Sequence, residues 1–305
     1  MIKATNLSKQ FGGFHAVSNL NCDIPKGCIY GLIRANGAGK STFLRLVTGV
    51  YQADGGTVTL DGEAVWENPE KKRKISYVPD ELYFITGANL NRMAAFYASL
   101  YSGFDKARFH ELVSLFRLDP KKNISTFSKG MRRQAATILA LCCNPEYIFF
   151  DETFDGLDPI VRNVVKNLIT EQVVERGATA IITSHSLREL EDTCDQLALL
   201  YKGGIVFESD VQDLKTALFK VQIAFSDPYD QSLFAGIHLQ DYAQRGSVAN
   251  FIVRGDREKT RLALLEKNPV LLDILPLSLE EVFVHEMSAL GYAFDDYLGE
   301  ESAHV

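Results

Sequence analysis

No apolar stretch in these 305 residues approaches the roughly 20 residues of a membrane-spanning helix. A membrane role therefore requires a partner chain. The opening residues, Met1-Ile2-Lys3-Ala4-Thr5-Asn6, lack the apolar core of a signal peptide. The five cysteines (Cys22, Cys28, Cys142, Cys143, Cys194) form no Cys-x-x-Cys pair and no Cys/His cluster. That argues against a zinc site and for reduced cytosolic thiols packing as small hydrophobes. Positive charge is in deficit, with 32 Lys and Arg against 39 Asp and Glu and a formal net charge of −7. The chain thus has no general basic field for nucleic acid. The basic cluster Lys71-Lys72-Arg73-Lys74 reads as a solvated turn ahead of a strand. Internal repeats and low-complexity segments are absent as well.

What is present is concentrated in Ile29-Tyr30-Gly31-Leu32-Ile33-Arg34-Ala35-Asn36-Gly37-Ala38-Gly39-Lys40-Ser41-Thr42. A β-rich apolar run leads into a small-residue loop, then Gly-Lys-Ser-Thr, then a helical pattern through Phe43, Leu44, Leu46 and Val47. Strand, glycine loop, Lys-Ser and helix are the parts of a P-loop. Free N–H groups at a helix start attract anionic phosphates. Gly37 and Gly39 let the backbone face them, Lys40 supplies a point charge, and Ser41 offers a hydroxyl to Mg²⁺. One position departs: the pattern G-x-x-x-x-G-K-[ST] begins on glycine, and this chain has Arg34 there.

Around that loop the pattern alternates between strand and helix. Residues 2–33 carry alternating strand patterns broken by Gly12-Gly13, Pro25 and Gly27. The P-loop helix is expected to end at Thr48-Gly49, with a turn at Asp54-Gly55-Gly56, a strand over 57–60, a hairpin at Asp61-Gly62 and a strand over 75–78. Residues 89–118 change to helical spacing. A helix opens at Ser128-Lys129-Gly130-Met131 and stops at Asn144-Pro145. Tyr147-Ile148-Phe149-Phe150-Asp151-Glu152 is an apolar run closing in two carboxylates, the mark of a buried parallel strand. A helix over 160–176, a buried strand over 178–183, Ser184-His185, a helix over 187–194, and strands over 197–201 and 205–208 follow. Beyond about Leu214 come strands over 221–225 and 248–253 and helices over 257–266 and 279–290, a small α+β accessory domain. From Asp295 the tail holds acidic residues with no Lys or Arg.

In a P-loop protein, an acidic residue at the end of such a strand holds Mg²⁺, directly or through water. Asp151 fits that role, and Glu152, one residue on, can polarise the attacking water. Together with the P-loop these motifs, in this order, resemble the nucleotide-binding subunit of an ATP-binding-cassette (ABC) transporter over residues 2–213. Phe11 stands where that family stacks an aromatic on adenine; otherwise it is a core aromatic of its strand. Phe127-Ser128-Lys129-Gly130-Met131 with Gln134 resembles the family signature. There the Ser hydroxyl and the Gly N–H at a helix start face the γ-phosphate held by the other protomer. Gly156-Leu157-Asp158 resembles the loop that couples the two sites, and His185 matches the switch histidine that contacts the γ-phosphate.

The resemblance implies an α/β fold: a P-loop ABC ATPase core with a mainly parallel sheet, an antiparallel β part and a helical subdomain at about 87–145. On this reading residues 1–213 form the ATPase domain, 214–290 the α+β C-terminal domain and 291–305 an acidic tail. It implies catalytic roles for Glu152, His185 and Lys40. Cofactor binding falls to Phe11, Asn36, Gly37, Ala38, Gly39, Lys40, Ser41, Thr42, Ser128, Gly130 and Asp158. Mg²⁺ would be held by Ser41, Asp80 and Asp151. Asp80 stands where the family has a glutamine that senses Mg²⁺ and water. Arg34 either points outward or approaches the phosphates or Asp80. The implied function is ATP hydrolysis that powers export through a separate transmembrane permease, from the inner face of the membrane. The implied assembly is a homodimer or a heterodimer with a second ABC subunit, with no nucleic-acid partner. The stretch Leu277-Ser278-Leu279-Glu280-Glu281-Val282-Phe283 resembles the end of subunits in the bacterial drug, peptide and ion exporter branch. Two alternatives stay open: a nucleotide-binding switch with weak hydrolysis, and a soluble ABC ATPase unconnected with transport.

Overall fold

The computed structural model describes residues 1–34, 39–289 and 291. The chain divides into two compact units, Met1–Glu208 and Ser209–Val305.

The first unit opens with the antiparallel hairpin β1 (Ile2–Phe11) and β2 (Phe14–Ile24), then β3 (Ile29–Arg34) and α1 (Lys40–Val47). Strands β4 (Gly55–Leu60) and β5 (Glu63–Ala64) complete a four-stranded sheet in the order β2-β1-β4-β5. Gly55 and Gly56, expected as a turn, belong to β4. A Cβ at Gly56 would stand 2.2 Å from the Asn6 carbonyl oxygen, so the glycine serves the close approach of β1. The short helix α2 (Pro69–Lys72) precedes β6 (Ile75–Val78). Helices α3 (Leu90–Leu100), α4 (Lys106–Leu115) and α5 (Lys129–Cys142) then form the helical part. After it come β7 (Tyr147–Asp151), α6 (Pro159–Arg176), β8 (Thr179–Ser184), α7 (Leu187–Glu191), β9 (Gln196–Tyr201) and β10 (Gly204–Asp210).

The second sheet has six strands in the order β10-β9-β3-β8-β7-β6. The pairs β3–β8, β3–β9, β7–β8 and β6–β7 are parallel. Every residue of β7 and β8 is buried, as their unbroken apolar runs require. Helix α1 lies in one apolar cluster with both sheets: Leu44 and Val47 share it with Ile2, Leu7 and Leu60 on one side and Tyr30, Leu32 and Phe149 on the other. This packing is what fixes the P-loop helix. Isolated, its eight residues would be far too short to hold a helix in water. Parallel pairing sets the C-terminal ends of β3, β7 and β8 side by side, the usual place for a ligand in an α/β sheet.

The second unit holds α8 (Val211–Ala217), β11 (Leu218–Ala224), β12 (Leu239–Arg245), β13 (Val248–Arg254), α9 (Arg257–Leu265), β14 (Leu271–Pro276) and α10 (Leu279–Ala289). Its antiparallel sheet runs β12-β13-β11-β14 around a core of Phe219, Val221, Phe234, Phe251 and Leu264.

Candidate functional site

The site is built at the ends of three adjacent parallel strands. Gly39, the residue before α1, has φ +87°. A side chain there would meet the β2 backbone, with its Cβ 2.0 Å from the Ala16 carbonyl oxygen. Lys40 follows as the first helical residue and is only 2 % exposed. A buried ammonium needs a partner, and Lys40 is ion-paired with Glu152 Oε1. The other carboxylate oxygen of Glu152 accepts from His185 Nδ1 at 3.1 Å. Glu152 sits one residue past β7 with φ +49°. Its N–H donates to the Thr183 carbonyl at 3.2 Å and to Thr183 Oγ1 at 3.1 Å, which turns its side chain away from the strand direction. His185, just past β8, is 62 % exposed.

Asp151, the last residue of β7, is buried and doubly bonded. Thr183 Oγ1 donates to its Oδ1 at 2.7 Å and the Tyr77 hydroxyl to its Oδ2 at 3.4 Å. Burial, and then the Asp151 carboxylate beside it, push the Tyr77 hydroxyl well above its ordinary pKa, so it remains a donor. Ser41 and Thr42 follow Lys40 in the first turn of α1 and are half-buried. The cluster therefore unites Lys40, Asp151, Glu152 and His185, with Ser41 and Thr42 adjoining in sequence. Asn36, Gly37, Ala38 and the side chain of Arg34 lie outside the described residues.

The remaining candidates occupy other places. Phe11 ends β1 half exposed, with its ring edge-on to Tyr51 at 5.5 Å between centroids and the Lys9 ammonium 5.5 Å from its own centroid. Ser128 caps α5, its Oγ accepting from Met131 N–H at 3.2 Å. Gly130 packs on the loop after β7, where an added Cβ would lie 2.9 Å from the Gly156 carbonyl oxygen. Asp158 caps α6, with Oδ1 accepting from the N–H groups of Ile160 and Val161 at 3.1 and 3.0 Å and with Pro159 at the first helical position. Asp80 is joined to Arg133 of α5, whose Nη2 donates to its Oδ1 at 2.8 Å.

Several residues of the site carry no motif of their own. Thr183 and Tyr77 are strand residues whose neighbours in register bring them to Asp151. Glu189 on α7 accepts from Ser184 Oγ at 2.6 Å and pairs with Arg162 of α6 at 3.3 Å, while Ser186 N–H donates to Ser184 Oγ at 3.0 Å. The spacing of Ser184 and Glu189 around His185 was the one available signal.

A P-loop lysine after β3, a histidine at the end of the neighbouring strand β8 and two carboxylates at the end of the next strand, β7, define a P-loop nucleotide hydrolase. Comparison with known proteins makes this specific. The family model for "ABC transporter" matches residues 17–155. The chain is 30 % identical to the ABC transporter ATP-binding protein YtrB of Bacillus subtilis, covering 93 % of this chain and 97 % of that protein. It is 27 % identical to the bacitracin transport ATP-binding protein BcrA of Bacillus licheniformis, over 92 % and 94 % of the two chains. A dimeric post-hydrolysis ATP-binding cassette bound to ADP and Pi shares the fold, with TM-score 0.64 at 21 % identity over 69 % of this chain and 99 % of that one.

The chain belongs to the ABC transporter family, as an ATP-binding subunit. It binds and hydrolyses ATP. No helix among the described residues is long and apolar enough to cross a membrane, and subunits of this kind act with a separate membrane partner.

Proposed function

We propose that this subunit powers export of an antibiotic or a peptide through its permease, hydrolysing ATP in two sites shared across a dimer. The observation that carries the reading is the Lys40–Glu152–His185 cluster at adjoining strand ends. All three are groups that phosphoryl transfer to water uses. The bacitracin transport relative supports the choice of cargo class.

In this reading ATP phosphates take the place that Glu152 holds against Lys40. Lys40 then neutralises the β- and γ-phosphates, and the freed Glu152 carboxylate orients water in line with the γ-phosphorus. His185 contacts the γ-phosphate, and Phe11 stacks on the base. Asn36, Gly37, Ala38, Gly39 and Thr42 complete the cradle from the backbone. Catalysis consists of positioning and charge stabilisation. Ser128 and Gly130 of the other protomer close the site, and Asp158 lies in the loop joining the two sites.

The residues present fit a magnesium ion. Asp151 offers a hard, buried carboxylate fixed by two hydroxyl donors, and Ser41 a hydroxyl at the helix start. No cluster of three or more His, Cys, Asp or Glu among the described residues forms a self-sufficient metal cage. That suits an ion completed by substrate phosphates. When bound, it neutralises charge on the β- and γ-oxygens.

The dimer partner is a second copy or a second ABC subunit, and the complex sits on the inner face of the membrane through the permease. A groove of about 410 Å³, with Val50, Trp66, Tyr97 and Tyr101 in its lining, supports the presence of a protein partner. The C-terminal α+β unit is an accessory domain of that assembly. The test is ATPase activity of the subunit co-expressed with its permease, together with antibiotic tolerance of the host. Hydrolysis with a gain of tolerance lost in Glu152→Gln supports the reading. Turnover indistinguishable from Glu152→Gln refutes it.

A further inference from the structure

Arg133 is among the largest fully buried side chains, 1 % exposed, on α5 five positions after Ser128. A guanidinium so far from water must be matched by acceptors. Its Nη1 donates to the carbonyls of Pro79 and Asp80 at 3.1 and 3.0 Å, and its Nη2 to Asp80 Oδ1 at 2.8 Å. All three bonds reach the two residues that leave β6. Its Nε is buried without a partner among the described residues, and every hydrogen bond the guanidinium makes there goes to that loop. The Asp80 carboxylate is itself 52 % exposed. It is not buried by the fold but drawn to the arginine.

The same loop leads back to the chemistry. Tyr77, three residues earlier, donates to Asp151. The start of α5 is tied on its far side too, by the Lys129–Asp155 ion pair at 2.6 Å, which holds Asp155 below the usual carboxylate range. A continuous set of contacts thus runs from Asp151 through Tyr77 and the Pro79-Asp80 loop to Arg133 and the helix that begins at Ser128.

We infer that Asp80 is a positioning residue that acts through Arg133, and not a magnesium ligand. The Asp80–Arg133 pair fixes the height of the Ser128–Gly130 helix start against Asp151 and Glu152. A metal on Asp80 would compete with Arg133 for the only carboxylate paired with that buried guanidinium among the described residues. The inference rests on the ATPase reading of the site.

The test measures steady-state hydrolysis by the full-length subunit with its permease, varying ATP and Mg²⁺ separately. The variants are Asp80→Asn, Arg133→Gln and the double substitution. Each single change lowers kcat about tenfold, in the range of coupled sites. KM for ATP stays within about twofold and the half-saturating Mg²⁺ concentration is unchanged. The double variant is no worse than the poorer single, since both weaken the same interaction, Asp80→Asn by removing its charge and Arg133→Gln by removing the fork. Asp80→Glu, which keeps the charge, recovers part of the rate. If Arg133→Gln does not fold, Arg133→Lys takes its place, keeping the charge and losing the fork. A rise of about tenfold in the Mg²⁺ requirement for Asp80→Asn alone would make Asp80 a metal ligand and overturn the inference. Additive effects, or singles at wild-type rate, overturn it equally. Absence of hydrolysis in the wild-type complex is a different failure, because it removes the site reading beneath the inference.

Discussion

Gly39 and Gly177 make a matched pair for testing how the phosphate loop is built. Both are left-handed, with φ +87° and +66°. They differ in surroundings. Among the described residues a Cβ at Gly177, after α6, meets nothing within 4 Å, whereas at Gly39 it meets the Ala16 carbonyl oxygen at 2.0 Å and its carbon at 3.0 Å. Close C···O contacts in proteins lie at about 3.3–3.6 Å, so Gly39→Ala forces a displacement of more than about 1 Å. Neither side yields easily, because Ala16 is a buried residue of β2 and the Gly39 carbonyl accepts the first α1 bond from Phe43 N–H at 2.7 Å. Gly177→Ala should cost about 1–2 kcal/mol, the penalty of the left-handed conformation for an L-residue. Gly39→Ala adds overpacking of about 1–3 kcal/mol, for a total of about 2–5 kcal/mol. At about 2–4 °C per kcal/mol for a unit of this size, thermal unfolding separates the two variants from each other and from wild type. Titration with a fluorescent ATP analogue should show Gly177→Ala at wild-type affinity and Gly39→Ala weakened at least tenfold, since Lys40 and Ser41 move with the loop. Equal melting of the two variants, or full affinity in Gly39→Ala, would refute the crowding argument.

Other outcomes follow from the same geometry. Glu189→Ala removes the acceptor that links Arg162 and Ser184 beside His185. It should lower kcat more than it raises KM, with Glu189→Gln recovering part of the loss; an unchanged kcat would leave Glu189 a packing residue. All five cysteines are buried, and burial raises the Cys22, Cys142 and Cys143 thiols to about 12 and the Cys28 thiol to about 11. At pH 8 a thiol reagent should therefore label the native protein negligibly and the guanidinium-unfolded protein fully. The sign for stability is fixed as well. These thiols are raised in the folded state, so their contribution is complete below the unfolded value of about 8.5. It is lost as pH climbs through the folded values, and the denaturation midpoint should fall progressively in alkali.

Much of this was legible in the sequence where local chemistry and burial agree. The run 147–152 announces a buried strand, and β7 covers it to Asp151. The helical patterns expected from residue 89 and from Ser128 begin at those residues, which cap α3 and α5 as small polar residues do. The unread parts lie where a strand has no pattern of its own. β12, Leu-Gln-Asp-Tyr-Ala-Gln-Arg, lacks apolar alternation and carries a register shift between Gln240 and Ala243. β14 is an edge strand ending at Pro276, with Leu271 and Leu275 exposed. The helix expected over 187–194 stops at Glu191. At the site, motifs marked the residues on strand ends and loop starts. Arg133, Thr183 and Tyr77 were silent because their partners are fixed by pairing register and helix packing, which spacing along the chain does not encode. Asp80 shows the difference most clearly: its position suggested a metal, and its neighbour in space is an arginine 53 residues away.

The central claim is that Lys40, Glu152 and His185 form one half of a hydrolytic site completed by a second protomer. The direct measurement is the assembly state of Glu152→Gln with its permease at saturating ATP and Mg²⁺, read by light scattering or native mass spectrometry. The account predicts a stable ATP-loaded dimer of ATP-binding subunits that does not decay on the time scale of wild-type turnover. A variant whose subunits stay unassociated under these conditions would contradict it.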